Sequence, residues 1–560
     1  MSAAPLGGLS GAESSIASDM SPAVIGVAPA VECRHRARLF AALEAAYPVR
    51  FTAAETIDHS ELDGLLTFGE VTAAGSGPPC LAFATNERAT AAARSLTFAT
   101  NPAPAEALRG ARLSERHGDG VPAVAVGARD EVIARLDGAP AWVSAPGRSR
   151  QTVAIAPDEL CADEVLRNRL RPGRSLAMLA LVQFIRQVAG ARLWALPPTR
   201  AAFVIDDPNL RAAGYGHLDY DQVLASARRH GYHVSMAMVP LDAGRGSASS
   251  RAAELFRDGS AYLSLCIHGN DHDGGELGRP GSEAQALPVV AQAMRRIEAF
   301  EQRTGVPVDR VMVAPHERMS RGTVDALRAC GYEAFSGARP YPWITASPDL
   351  DWLTRPPASG PLPGWGSSEL MPGGFPLLMR MDFGHSREEL VIRAFLGQPV
   401  IVYGHHDVFA HGTGVLESFA QEINGLGAVR WSCPSGIARA AVETRRHHDT
   451  LDVRMLGRRV CLEVPAGVAE VRVDATRVEP SERESLLAAD EAGEIDLGPH
   501  PTATIPATDP TRPTRLELRL GVSVDARSVS APPRRLLPVA RRVATRWRDR
   551  PRRHEAGARA

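Results

Sequence analysis

Two adjacent carboxylates, Asp206 and Asp207, and two imidazoles four residues apart, His268 and His272, are the residues here whose types and spacing could do chemistry. An Asp, a His and a second His four positions on make a ligand set of the kind that holds Zn²⁺ or a similar divalent ion and leaves a position open for water. Neither pair means much alone. With 17 His in 560 residues a His-x-x-x-His spacing arises by chance on the order of once, and Asp-Asp-Pro is ordinary turn chemistry. Placement raises both. Ala201-Ala-Phe-Val-Ile205 is an apolar run that stops on the two Asp, and Ala261-Tyr-Leu-Ser-Leu-Cys-Ile267 runs directly into His268. Both read as buried strands, and parallel α/β architectures gather ligands and catalytic groups at the C-terminal ends of strands.

These residues carry a family resemblance. Val204-Ile-Asp-Asp207 and His268-Gly-Asn-Asp-His272 resemble the first two motifs of the polysaccharide deacetylase superfamily (NodB homology, carbohydrate esterase family 4). Pro399-Val-Ile-Val-Tyr-Gly-His-His-Asp407 resembles its last motif, a strand ending in histidine and then Asp. The chain is thereby identified as a divergent member, and the resemblance implies a deformed (β/α)₇ barrel. It further implies that Asp207, His268 and His272 hold a divalent metal, Zn²⁺ foremost, which lowers the pKa of a bound water toward about 7. Asp206 would be the general base, and His406 or His405 the general acid toward the leaving group. The implied reaction is removal of an N- or O-acetyl group from a carbohydrate.

Asn270 and Asp271, inside the His-x-x-x-His loop, and Pro315, His316 and Glu317, at the tip of the fourth strand, are expected at the substrate. The fourth strand also departs from the family pattern. The family's third motif places an arginine two residues before a proline, where it holds the catalytic aspartate. Here Val313 stands before Pro315, and His316, Glu317 or Arg318 is expected to supply the contact. Two alternatives stay open. One is a metal-free glycoside hydrolase using Asp206 and Glu317 as a carboxylate pair. The other is a barrel in polysaccharide assembly that has lost turnover.

Short apolar runs carry these residues at or near their ends. Apolar runs at Ala201–Ile205, His233–Val239, Ala261–Ile267, Arg310–Ala314, Tyr332–Phe335, Leu377–Met381 and Pro399–Tyr403 recur, the first five separated by helix-spaced stretches and the fifth and sixth by a long Trp-bearing loop at Gly337–Gly374, and seven β/α units fit such a barrel. Asn209, Tyr215, Trp343, Trp352 and Trp365 are further candidates for its mouth. The full layout expected is α/β: a disordered stretch at 1–28, a small α/β domain of flavodoxin or amidotransferase cast with a helical linker at 29–195, the barrel at 196–448, a small antiparallel β-sandwich at 449–525, and a disordered Arg-rich tail at 526–560. The apolar helix around Leu176–Ile185 is expected across the base of the barrel or between domains.

Composition narrows the rest. A formal net charge of −1 gives no reason to expect a nucleic-acid partner. All 63 basic residues are Arg, which excludes Schiff-base and lysine-nucleophile chemistry. Seven dispersed Cys without a CxxC pair read as reduced thiols. With no basic, apolar leader and no apolar run long enough to span a membrane, the expectation is a cytoplasmic protein acting on a carbohydrate. Oligomeric state is not legible.

Overall fold

Seven short apolar runs, each too short for a helix, become seven strands in the computed structural model of the protein: β1 (Thr199–Asp206), β2 (Val234–Met238), β3 (Leu263–His268), β4 (Val308–Val313), β5 (Ala334–Gly337), β6 (Phe375–Asp382) and β7 (Val400–Gly404). The structure describes residues 21–69, 77–84, 93–116, 123–146, 149–162, 164–243, 249–273, 275–340, 342–343, 364–385, 387–533, 539–540 and 542–545. Each strand pairs in parallel with the next, and β7 pairs with β1, which closes the ring by pairing with β2. The barrel expected from the run spacing is therefore present. All seven strands point their C-terminal ends to one mouth.

Alternation along the strands decides which side chains enter the barrel. Ala202, Val204, Cys266, Leu378 and Ile401 belong to a narrow interior cluster, while Phe203, Ile205, Met379 and Val402 pack outward beneath the helices. Two residues further along the same inward rows stand Asp206, His268, Arg380 and Tyr403. The helices are terminated locally. In Tyr220–His230 the Asp219 side chain accepts from Gln222 N–H at the start, and Gly231 at φ +67° ends it.

The N-terminal unit is a nine-stranded mixed sheet. Val49–Ala53, Ala23–Ala28, Gly64–Phe68, Cys80–Phe83 and Arg150–Val153 run parallel in that order, and four antiparallel strands extend it. This corrects the disordered stretch expected through residue 28. Pro22 and Pro29 bracket the run Ala23–Ala28 without interrupting it, and Ala23, Ile25 and Val27 are fully buried between two parallel neighbours. Residues 123–126 form no strand. Helix Leu176–Ala189 lies between the units: Phe184 and Val188 pack against Gly64, and Arg186 donates to Phe395 O at 2.8 Å. Arg167 bridges to Glu389 at 2.6 Å across the same junction.

The C-terminal sandwich consists of two four-stranded sheets around its own core. It begins earlier than residue 449. Val442–His447 is its first strand, and Arg445 is buried against Asp452 at 3.1 Å. It is also not wholly antiparallel, since Thr450–Met455 and Glu470–Asp474 pair in parallel. All seven Cys are free. No described helix is long and apolar enough to cross a membrane.

Candidate metal and catalytic site

Three strand ends at the mouth leave the ordinary regions of backbone space. Asp207, just past β1, has φ +76°; His272, in the loop after β3, has φ +55°; His316 and Glu317, after β4, have φ +57° and +53°. Each such non-glycine residue costs roughly 1–3 kcal/mol and persists only where its surroundings enforce it, and clusters of them mark functional sites.

Asp207, His268 and His272 converge. His272 Nε2 lies 3.3 Å and His268 Nε2 3.9 Å from Asp207 Oδ1, and the three ligand atoms fall within 4.8 Å of one another. Ligands at ~2.0–2.2 Å around a tetrahedral ion stand ~3.3 Å apart, so the set fits a cation with a small contraction. His268 Nδ1 donates to Val313 O at 3.1 Å, which directs the Nε2 lone pair toward Asp207. Burial lowers the pKa of both imidazoles, His272 to about 4. Both are then neutral at pH 7, the form that ligates. Burial alone would raise the Asp207 carboxyl, but His268, His272, Arg542 and His405 bring it down to about 2.

The loop carrying His272 is wound around a buried carboxylate. Glu276 accepts from the backbone N–H of Asn270 at 2.7 Å, Asp271 at 2.9 Å and His272 at 3.1 Å. Burial pushes this carboxyl up to about 7 against the pull of those donors. Gly269, at φ +65°, permits the turn: a Cβ there would stand 2.3 Å from Glu276 Oε1 and 2.6 Å from Pro315. Three residues expected at the substrate are thereby reassigned. Asn270 is buried, donating to Gln292 at 2.8 Å and accepting from Arg296 at 2.7 Å. Asp271 pairs with Arg296, and Pro315 is buried over Gly269.

Asp206 turns inward to Arg380. The guanidinium donates from Nη1 to Oδ1 at 2.8 Å and from Nη2 to Oδ2 at 2.9 Å, and lies 3.9 Å above the Tyr403 ring. The contact that holds this aspartate comes from β6, not from residues 316–318. Glu317 is the second carboxylate on Arg380, and its Oε2 accepts from Ala338 N–H at 2.8 Å. It buttresses the arginine. His316 is exposed beside the site, its ring edge-on to His272 at 5.2 Å.

The turn after β7 separates the two histidines, His405 preceding and His406 opening the short 3₁₀ helix His406–Phe409. His406 packs edge-on to Tyr215 at 5.3 Å and against His217 at 5.8 Å. His405 is the exposed neighbour whose charge is felt by Asp207. Of the other mouth candidates, Asn209 is buried beneath Tyr220 and Trp365 is buried, donating to Tyr47 Oη at 3.2 Å. Trp343 lies under Arg321 at 5.3 Å, and Trp352 falls outside the described residues.

Four residues at the site were not anticipated: Arg380, Glu276, Asp242 and Arg542. Arg380 had a signal, a lone charge on the inward row of an apolar strand. Asp242 had one too, an acid just past the tip of β2. Glu276 had none. Arg542 lay in the tail expected to be disordered, yet it is buried and paired with Asp207 and Asp242.

No protein-family model matches the sequence, and no curated protein matches it. Part of the chain is similar to solved structures. One is a Mycobacterium smegmatis protein assigned as a polysaccharide deacetylase, 17% identical over 43% of this chain and 92% of that one, TM-score 0.31. Another is a family 4 carbohydrate esterase from Streptomyces lividans, 14% identical over 43% and 94%, TM-score 0.25. A third is a chitin deacetylase from the fungal pathogen Colletotrichum lindemuthianum, 13% identical over 46% and 96%, TM-score 0.26.

Proposed function

We propose that the protein is a metal-dependent hydrolase that removes an acyl group, N- or O-acetyl, from a carbohydrate. One observation carries the reading: Asp207, His268 and His272 converge at a barrel mouth beside a second carboxylate, Asp206, that a buried arginine orients. The substrate class is the one implied by the sequence motifs.

Asp207 Oδ1 and the Nε2 atoms of His268 and His272 would hold the cation, Zn²⁺ by ligand type. When bound it supplies Lewis acidity toward an acyl carbonyl and toward water. Asp206 takes the proton of the attacking water. Arg380 uses one lone pair on each Asp206 oxygen, and a carboxylate retains further acceptor capacity for that proton. His405 delivers a proton to the departing amine or alkoxide. Val313 O and the Glu276 cradle act through His268 and His272, keeping the ligating nitrogens turned toward Asp207. A carboxylate-pair glycosidase is disfavoured because Asp206 and Glu317 are both engaged by one guanidinium instead of facing each other across a cleft.

The test is elemental analysis with an activity assay. About one equivalent of metal is expected in the wild type and none in a His268→Ala, His272→Ala double variant. Asp206→Asn is expected to keep the metal and lose acetate release from acetylated amino sugars. A wild-type protein that takes up no Zn²⁺ on reconstitution rules the reading out.

A further inference from the structure

We infer that the C-terminal segment bearing Arg542 is a tethered competitor of the metal: guanidinium and divalent cation claim the same oxygen of Asp207, so metal loading expels the segment from the barrel mouth. This rests on the metal reading of Asp207, His268 and His272 and adds to it a device that the ligand set does not require.

Arg542 lies 335 residues from Asp207 in sequence, and its Nη1 donates to Asp207 Oδ1 at 3.1 Å. That is the oxygen His272 Nε2 approaches at 3.3 Å and His268 Nε2 at 3.9 Å. Nη2 reaches the Asp207 carbonyl oxygen at 3.5 Å and the carboxylate of Asp242. Asp242 belongs to the short helix Pro240–Ala243 after β2, and its side chain is fully buried. Arg542 is only 4% exposed, while Val543 and Ala544 beside it are exposed. The Arg542 side chain is thus inserted while the two residues after it stay outside.

Two cationic centres on one carboxylate oxygen stand a few ångströms apart, and at a buried site that repulsion is weakly screened. A second metal ligand in place of the arginine would not behave so. Asp242 gives the guanidinium a reason to stay, because a buried carboxylate left without a cation is strongly unfavourable. The tether adds to this, since an intramolecular ligand acts at an effective concentration of order millimolar. Coupling is reciprocal: whatever loosens the seat tightens the metal, and the metal weakens the seat by the same factor.

The experiment measures Zn²⁺ dissociation constants, by competition with a chromophoric chelator, for the full-length wild type, Arg542→Met and Asp242→Asn. Both variants should bind Zn²⁺ at least about tenfold more tightly than the wild type. Asp242→Asn removes the anchor without leaving a buried charge, so it decides the matter if Arg542→Met fails to fold. In the wild type, tryptic cleavage after Arg542 should be slow without Zn²⁺ and fast with it. Equal constants in all three proteins, or weaker binding in the variants, overturn the inference while the metal site stands. Absence of Zn²⁺ binding in all three removes the metal reading and the inference with it.

Discussion

Arg380 grips Asp206 through two parallel hydrogen bonds, 2.8 and 2.9 Å long, with both side chains buried at the top of the barrel. The fork fixes the plane of the carboxylate, which a point charge does not do. Arg380→Met leaves Asp206 and Glu317 buried without their cation and should cost about 3–5 kcal/mol, read from urea denaturation. Arg380→Lys keeps charge without the fork. It should recover much of the stability but little of the turnover, with metal content unchanged. A lysine variant with wild-type kcat would show that orientation of Asp206 does not matter.

The two histidines after β7 should separate kinetically. Loss of a general acid typically costs 10²–10⁴-fold, so His405→Gln is expected to lower kcat by about that range with Tm little changed. His406→Gln removes a ring packed on Tyr215 and His217 and should lower Tm more than kcat. The reverse pattern would transfer the acid role to His406.

Gly269 is a conformational requirement of the ligand loop. With φ at +65° and a Cβ contact of 2.3 Å to Glu276, Gly269→Ala forces the cradle apart. The expected loss is about 1–3 kcal/mol in stability, together with a lower metal stoichiometry because His272 is carried on the same loop. Calorimetry and elemental analysis on one preparation check both. Full metal content in this variant would mean that the cradle does not position His272.

His233, remote from the mouth, should make the fold acid-sensitive. Its ring contacts Ala261 O at 3.1 Å and Ser264 Oγ at 2.9 Å, and burial lowers its pKa to about 4. The unfolded chain binds this proton near pH 6.5 and the folded one not until near 4. The contribution of His233 to stability therefore falls as pH drops through that window, by about 3 kcal/mol in all, and is constant above it. The difference in unfolding free energy between wild type and His233→Gln, read from urea denaturation at pH 7.5 to 4, should shrink by this amount as the pH falls. A difference that does not change with pH would place the acid sensitivity elsewhere.

Much of the fold was legible because it is written in local pattern. Each of the seven barrel strands is a short apolar run, and a buried parallel strand needs no partner information to be recognised. Ala23–Ala28 escaped because prolines at both ends look like breaks, although Pro at a strand boundary costs no ladder hydrogen bond. The start of the sandwich escaped because Arg445 and His447 look solvated, whereas in a two-sheet unit the partner Asp452 makes burial of Arg445 possible.

The site divides along the same line. Adjacent acids at one strand tip and the His-x-x-x-His loop at another marked Asp206, Asp207, His268 and His272 from sequence alone, since parallel strands bring their C-terminal ends to one mouth whatever the connections between them. The sequence by itself therefore determined the barrel and the residues that meet at its top. Which side chains hold them was decided by tertiary structure: Arg380 for Asp206, the Glu276 cradle for His272, the Val313 carbonyl for His268, and Arg542 from the far end of the chain for Asp207. The reason is physical. Period and burial are properties of a short stretch of chain, but a hydrogen bond or ion pair between residues 174 or 335 positions apart depends on closure of the barrel and on where the tail lies, and no local pattern encodes either.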